Sequence, residues 1–286
     1  MFKKHRNAHL QWLKMAEEAI KRRDYETAAR FYKYVSVHFG LQNNSEKLKA
    51  FTVKTGECYL KAAENLWSSN KPLESLLFLI KASNCFADGE DKQKARKCDL
   101  IIKSRYELIR KNGTIERCND AYKLKRIGDY FINHDFEKAI ECYEAAAEKA
   151  FNSGKLNLSG SIYGTLGECY MAVKRYGDAA ERYARSAEIY NQCREYFEAA
   201  WRYCISGFHF ILSGDPKKAL DMAVKAELAC EKDEINVLLN DLASVCRLLS
   251  EGRLNEALRR WRKIRNKFKK SYAEIVDSCF YLMTSR

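Results

Sequence analysis

The chain has 286 residues, of which 47% are hydrophobic and 31% charged, and it carries a formal net charge of +13. This composition is too apolar for a disordered protein, and no stretch approaches the roughly 18 to 20 consecutive apolar residues that span a bilayer. The first residues, Met1 to Arg6, include basic side chains but lack the apolar region of a signal peptide. We therefore expect a cytoplasmic protein, long enough for two domains or for one continuous array of repeats.

Helices are predicted along the whole chain. The only two prolines, Pro72 and Pro216, each stand at the start of a run of good helix formers, where proline suits the first helical turn. Hydrophobic periodicity predicts about fourteen helices, near 6–22, 25–39, 44–69, 72–87, 90–111, 115–133, 136–152, 155–173, 176–192, 195–213, 216–230, 232–250, 254–269 and 271–284. The short connections make consecutive helices antiparallel neighbours. No turn signature precedes the helix at 90–111, so its pairing register stays open.

A five-residue segment recurs at the turn between two helices. The copies are Asp24–Ala28, Asp135–Ala139, Arg175–Ala179, Asp215–Ala219 and Arg253–Ala257, with Lys71–Ser75 as a weaker one. The last four start at residues 135, 175, 215 and 253, which are 40, 40 and 38 residues apart. This recurrence is typical of tetratricopeptide helix pairs, although the usual repeat has about 34 residues.

A glycine followed by an aromatic residue three positions later marks the helix before several of these segments. The pairs are Gly56/Tyr59, Gly128/Phe131, Gly167/Tyr170 and Gly207/Phe210. A small residue lets two antiparallel helices approach, and we expect the nearby aromatic residue to fill the space beside it. Gly167, Gly207 and Ala179 should therefore lie at tight helix–helix contacts.

These patterns predict an all-α fold, a right-handed solenoid of antiparallel helix hairpins of the tetratricopeptide type. Residues 1–192 are assigned to the hairpin array, and residues 193–286 to a compact C-terminal helical bundle continuous with it. Each hairpin buries its apolar face only by stacking on its neighbours.

No motif in the sequence indicates catalysis or a cofactor. Neither a G-x-x-x-x-G-K phosphate loop nor a G-x-G-x-x-G motif after a strand occurs. The eleven cysteines are spread singly without any C-x-x-C spacing, which predicts buried thiols in a reducing compartment and no zinc site. Cys169 and Cys204 lie beside aromatic residues and are predicted to be core residues rather than nucleophiles. We expect no enzyme activity, no metal and no cofactor.

Positive charge is concentrated in two stretches. Eight basic residues and no acidic residue lie between Arg259 and Lys270, and a second basic stretch runs from Lys92 to Lys111. Such fields attract nucleic acid, anionic membranes or acidic protein surfaces, although either stretch could also be an ordinary solvated helix face. The candidate partner-binding residues are Lys94, Lys97, Lys103, Arg105, Arg259, Arg260, Arg262, Lys263 and Lys267.

Apolar residues that precede and lie within the basic stretch from Arg259 to Lys270 recur at helical spacing. Leu254, Leu258, Trp261, Ile264 and Phe268 are three or four residues apart, so they should share the buried face of one helix. Trp261 is therefore predicted to be a core residue rather than a platform on which a nucleic-acid base stacks.

The helix count, the repeat near 40 residues and the chain length together resemble the soluble NSF attachment proteins (SNAPs). The segments that carry the resemblance are Asp135–Tyr190, with Asp135–Glu144 and Tyr176–Tyr183, and Tyr203–Ser271, with Ala219–Ala229 and Leu238–Ala257. The resemblance covers most of the chain at the level of fold, and many tetratricopeptide proteins share its motifs.

The resemblance implies an adaptor in vesicle trafficking and membrane fusion. SNAPs bind the acidic four-helix SNARE bundle with a basic concave face and recruit a hexameric ATPase. Members of the family also contact membranes peripherally. Two features differ here. The hydrophobic loop between the first two helices is replaced by the short turn Arg22–Tyr25, and the acidic tail is replaced by Tyr281–Arg286 at the end of a basic region.

Two other functions stay open from the sequence. The chain could be a scaffold that stabilises a different protein partner, as is thought of the huntingtin-associated protein of remotely similar fold. A solenoid that binds nucleic acid is the less favoured alternative, because its aromatic residues would have to face outward.

Overall fold

A computed structural model describes residues 8–232 and 237–285, and every regular element within these ranges is helical. The predicted helix start at residue 6, the segment from Met1 to Arg6 and residues 233–236 of the helix predicted at 232–250 lie outside the described residues. The chain divides into two compact units, the first ending at Cys118 and the second beginning at Asn119.

The first unit is a series of antiparallel helices in which each long helix packs on the next. Its helices are α1 (Ala8–Lys21), α2 (Tyr25–Leu41), α3 (Ser45–Ser68), α4 (Pro72–Asp88), α5 (Lys92–Lys111) and the short α6 (Thr114–Arg117). Helix α5 packs against α4, which settles its pairing within this unit.

The second unit continues the same construction. Its helices are α7 (Ala121–Phe131), α8 (Phe136–Asn152), α9 (Leu156–Ala172), α10 (Tyr176–Gln192), α11 (Tyr196–Leu212), α12 (Pro216–Lys232), α13 (Val237–Ser250), α14 (Leu254–Ile264) and α15 (Lys270–Thr284), with a 3₁₀ turn at Arg265–Lys267. The predicted domain boundary at 192/193 falls within this unit, in the turn between α10 and α11.

One three-residue connector joins most of the helices. Its central residue has a positive φ, as at Arg23 (59°) and Glu90 (62°), and the next amide reaches back five residues, as from Asp24 N to the Ala19 carbonyl (2.9 Å). This hydrogen bond satisfies a carbonyl that the helix end leaves unpaired. Where the third residue is Asp or Asn, its side chain also caps the next helix, as Asp24 Oδ1 does by accepting from Thr27 N. The connector ends one helix and starts the next within a single turn.

Two predicted helices are wrong in detail. The helix predicted at 115–133 is interrupted, because Cys118 adopts an extended conformation and Asp120 caps α7 by accepting from the amides of Tyr122 and Lys123. The helix predicted at 254–269 ends at Ile264 and is followed by the 3₁₀ turn. There the chain bends so that α15 can pack on α11 and α13.

Glycines form the closest helix–helix contacts, as the sequence predicts. A Cβ on Gly167 would lie 2.6 Å from the Tyr183 ring, and one on Gly207 would lie 2.5 Å from Cys246 Sγ. Ala179 is fully buried. However, the ring over Gly167 comes from the following helix, α10, and not from Tyr170 on the same helix.

The end of the second unit departs from simple hairpins. Helix α15 returns to α11, where Cys279 Sγ donates to the Phe208 carbonyl at 3.3 Å. Trp201 packs edge-on against Tyr272, with ring centroids 4.8 Å apart. These contacts belong to one apolar core that is built from α10 to α15.

Nine of the eleven cysteines are buried, and the other two, Cys85 and Cys193, are half-buried. Cys169 and Cys204 are fully buried, in agreement with their predicted place in the core. Within residues 8–232 and 237–285 there is no helix long and apolar enough to cross a membrane. In the same ranges, no three His, Cys, Asp or Glu side chains come together as metal ligands.

Replacing Gly167 with Ala should lower the free energy of unfolding by about 1–3 kcal/mol, because the added methyl overpacks against a buried tyrosine ring. Gly177→Ala is the matched control, since a Cβ there would make only an ordinary contact, 3.7 Å from Ser213. Chemical denaturation of both variants checks this. Equal stability of the two variants would contradict the packing at Gly167.

A second prediction concerns His209, which is 0% exposed. Its Nδ1 donates to the Ile205 carbonyl at 2.7 Å, and its Nε2 has no hydrogen-bond partner among the residues that the structure describes. Burial lowers its pKa from the ordinary 6.5, and the hydrogen bond to Ile205 offsets this only in part. Because the unfolded chain binds the proton more readily, stability should be fully present above pH 6.5 and fall below it, by at most about 1.4 kcal/mol per pH unit.

Denaturation between about pH 7.5 and 5.5 measures this fall, a window above the titration of ordinary carboxylates. His209→Phe should reduce the slope without removing it, because the pKa of His9 is also lowered, mainly by burial. An unchanged slope in His209→Phe would show that this imidazole does not supply the dependence.

Candidate partner-binding surface

The buried face of α14 holds the helix in place. Ala257, Trp261 and Ile264 lie in the core, and Trp261 is only 1% exposed. Its indole Nε1 donates to Asp277 Oδ1 at 2.8 Å, which ties α14 to α15. The prediction that Trp261 is a core residue is confirmed.

Four exposed basic side chains lie on α14 and in the 3₁₀ turn that follows it. They are Arg259, Arg262, Lys263 and Lys267. At 3.6 residues per turn, positions three and four residues apart fall on one face, so the first three share the solvent-exposed side of α14. Lys267 follows in the turn, and none of the four forms an ion pair with a described residue.

The other charges around α14 are used within the fold. Arg260 pairs with Asp241 at 2.7 Å, and Arg265 pairs with Asp277 at 2.6 Å. The Arg265 hydrogen bonds lower the pKa of Asp277, so this carboxylate stays ionised. The acidic residue on the exposed face, Glu256, is bound by Arg253. The remaining field at this surface is positive.

The candidate residues on α5 do not form a comparable surface. Lys94 pairs with Glu57 at 2.7 Å and with Asp91 at 3.3 Å, and the hydrogen bond to Glu57 is the main reason that its pKa is raised. Lys97 and Lys103 are exposed, but Lys103 follows Lys94 by nine residues, two and a half turns, and so lies on the opposite side. Lys94, Lys97 and Arg105 share the other side, but Lys94 is paired and Arg105 is half-buried, so they form no exposed basic face.

Arg105 is half-buried and holds the first unit together. Its Nη1 donates to Ser75 Oγ at 2.7 Å, and its guanidinium lies 4.5 Å from the Trp67 ring. Ser75 Oγ in turn donates to the Ala63 carbonyl at 2.7 Å. Burial lowers the pKa of Arg105, but arginine remains charged at any physiological pH. This side chain is committed to packing between α3, α4 and α5.

Sequence reasoning missed the acidic partners Glu57 and Asp241. A signal for the first of them exists, because equivalent helices of successive repeats are neighbours. Lys94 lies 37 residues after Glu57, and Lys218 pairs at 2.6 Å with Glu181, also 37 residues earlier. Opposite charges one repeat apart therefore indicate which lysines are already neutralised.

No model of a known protein family and no curated protein sequence matches the chain. Among solved structures, it is similar to a signal-transduction ATPase with a tetratricopeptide repeat sensor from Pyrococcus horikoshii, with 18% identity and a TM-score of 0.53. The fold is a tetratricopeptide-like α-solenoid. The match covers 95% of this chain but only 44% of the Pyrococcus protein.

Two further solved structures match over nearly their whole length, the apo form of RapI and a Rap protein complexed with the competence and sporulation factor. Their identities are 12% and 10%, over 97% and 98% of this chain and 97% of each of theirs, and their TM-scores of 0.35 and 0.36 are too low to support an argument.

Arg105→Ala should destabilise the first unit by roughly 1–3 kcal/mol, because it removes a hydrogen bond from a charged donor and a cation–π contact. Lys103→Ala, an exposed residue on the same helix, should change stability by less than about 0.5 kcal/mol. Thermal unfolding of the two variants makes the comparison. If Arg105→Ala is as stable as Lys103→Ala, then Arg105 is a surface residue after all.

Proposed function

We propose that this chain is a non-catalytic scaffold that binds a protein partner with an acidic helical surface, and that the exposed face of α14 makes the main contact. The observation that carries the proposal is the set of three cations on that face, Arg259, Arg262 and Lys263, with Lys267 in the adjoining turn, none of which forms an ion pair with a described residue. The neighbouring Arg260 and Arg265 are paired. Unpaired charges on one rigid face attract and orient an oppositely charged partner.

The helical form of the partner follows from the spacing of these cations. Cations at i, i+3 and i+4 form a stripe about one turn long, which matches a stripe of carboxylates on a second helix lying alongside. A nucleic acid is less well matched, because single strands need exposed aromatic rings on which bases stack. Trp261 is buried, and Phe268 is half-buried between Trp201 and Trp261.

The more specific proposal is that the partner is a SNARE-type bundle and that the chain is a SNAP-like adaptor in vesicle trafficking. It is motivated by the resemblance of Asp135–Tyr190 and Tyr203–Ser271 to SNAPs, and a SNARE bundle is an acidic rod of four helices. The broader alternative, a scaffold for another acidic helical protein, uses the same α14 face. Similarity to a protein that carries a tetratricopeptide repeat sensor fits either version.

The test is capture of an assembled SNARE bundle, and of its separated helices, by the full-length chain at several salt concentrations. We expect capture of the assembled bundle only, weakening as the Debye length shrinks from about 10 Å at 0.1 M to about 3 Å at 1 M. The triple variant Arg259→Glu, Arg262→Glu, Lys263→Glu should bind at least tenfold more weakly, a loss of about 1.4 kcal/mol.

The matched control changes three exposed basic residues elsewhere in the second unit, Arg126→Glu, Lys174→Glu and Lys217→Glu. This variant alters the net charge by the same amount but leaves α14 unchanged. It should therefore bind almost as tightly as the original chain. Equal weakening by both triples would mean that only the overall charge matters and not α14. Failure to capture the bundle at every salt concentration would rule out the SNAP-like proposal and leave the broader scaffold.

A further inference from the structure

A groove opens in the first unit, and every residue that lines it belongs to that unit. Its volume is about 610 Å³, within the range of sites that bind ligands, and α2 contributes most of its wall. Trp12 of α1 forms one end, where its ring lies 5.8 Å from Tyr34 and 6.2 Å from His38. On the far side, Tyr59 of α3 and Lys81 of α4 complete it.

The floor of the groove is an apolar stripe on α2 that no described residue of the unit covers. Tyr34 is 45% exposed, Val37 50% and Leu41 82%. These residues are spaced i, i+3 and i+7, so they share one face of the helix. A different face of α2 carries the buried core residues Tyr32, Val35 and Phe39. A helix that is apolar on both sides is normally buried on both sides, so the exposed stripe indicates a missing partner.

Basic side chains surround this stripe. Arg30 and Lys33 line the groove, are exposed and form no ion pair with a described residue. The ammonium of Lys81 lies 4.2 Å from the Phe78 ring and 5.2 Å from the Tyr59 ring. One carboxylate, Glu26, lines the groove with them. The rim is therefore net positive and favours an acidic occupant.

We propose that this groove binds an acidic amphipathic helix of a protein partner. The stripe from Tyr34 to Leu41 spans about 10.5 Å at 1.5 Å per residue, the length of two helical turns. Anchors at i, i+3 or i+4, and i+7 of the bound helix fit that length, and its carboxylates reach Arg30 and Lys33. A second copy of this chain is a poor occupant, because its net charge is +13 and the rim is basic.

The concave shape of the groove favours a helix over a lipid surface as its occupant. Trp12 is half-buried within the wall, whereas Leu41 is 82% exposed, so a flat bilayer would reach Leu41 more readily than Trp12. A helix two turns long can place side chains between α2 and α4. The inference is independent of the α14 surface, because no residue of the second unit takes part in it.

The experiment is selection of a displayed library of random 16-residue peptides on the full-length chain, followed by affinity measurements with the enriched peptides. We expect enriched sequences with apolar residues at i, i+3 or i+4, and i+7, together with Asp or Glu. Val37→Glu should weaken these peptides at least tenfold, and so should Arg30→Glu combined with Lys33→Glu. Leu41→Glu, at an almost fully exposed position, gives a second test that cannot disturb the core.

Val224→Glu is the matched control, because Val224 is a 41% exposed valine on α12 of the second unit. It should leave the affinity unchanged. The proposal is overturned if no peptide is enriched over the Val37→Glu variant, if enriched peptides are basic, or if both valine variants bind equally. Binding to vesicles of phosphatidylcholine and phosphatidylserine that is lost in Val37→Glu would also overturn it, in favour of a lipid surface.

Discussion

The repeats depend on one contact, in which a glycine on one helix receives an aromatic ring from the next. Tyr183 lies over Gly167, Tyr143 over Gly128, and Phe86 over Gly56. Since a Cβ at any of these glycines would come within about 3 Å of the ring, the two helices can approach this closely only where the side chain is absent. The same closeness explains why small residues fill the remaining interfaces. Buried serines donate to carbonyls of the adjacent helix, as Ser159 does to Ala147 and Ser206 to Ala180.

This construction leaves function to the outer faces of the helices. The connectors among the described residues are short and internally hydrogen-bonded, so most exposed side chains stand on helices. Charged side chains stand outside, and many are neutralised by a partner one repeat away, as Lys94 is by Glu57 and Arg182 is by Glu144. The surface side chains that this pairing leaves without a partner are the ones that bear on function. The cations on α14 and the apolar stripe on α2 are two features that packing within their own units does not require.

Most of the fold could be predicted, because the turn segments and the glycine positions are local signals. The interruption of the helix predicted at 115–133 was not foreseen, although Asn119 and Asp120 are typical helix caps and could have indicated it. The connector before α5 was not predicted for a different reason: its left-handed position is occupied by Glu90, whereas the usual signal for that conformation is glycine.

The candidate binding surface was harder to predict than the fold. Sequence shows that Lys94, Arg105 and Arg260 are basic, but their use within the fold depends on Glu57, Ser75, Trp67 and Asp241, which only the packing of helices brings near.

The central claim, that α14 presents the binding surface of a protein scaffold, is tested most directly by parallel affinity capture from a native extract. The original chain and the Arg259→Glu, Arg262→Glu, Lys263→Glu variant would be immobilised side by side, and retained proteins identified by mass after nuclease treatment. The account predicts a small set of proteins that the variant loses and that carry acidic helical surfaces. An identical set on both chains, or retention that disappears with nuclease, would contradict it.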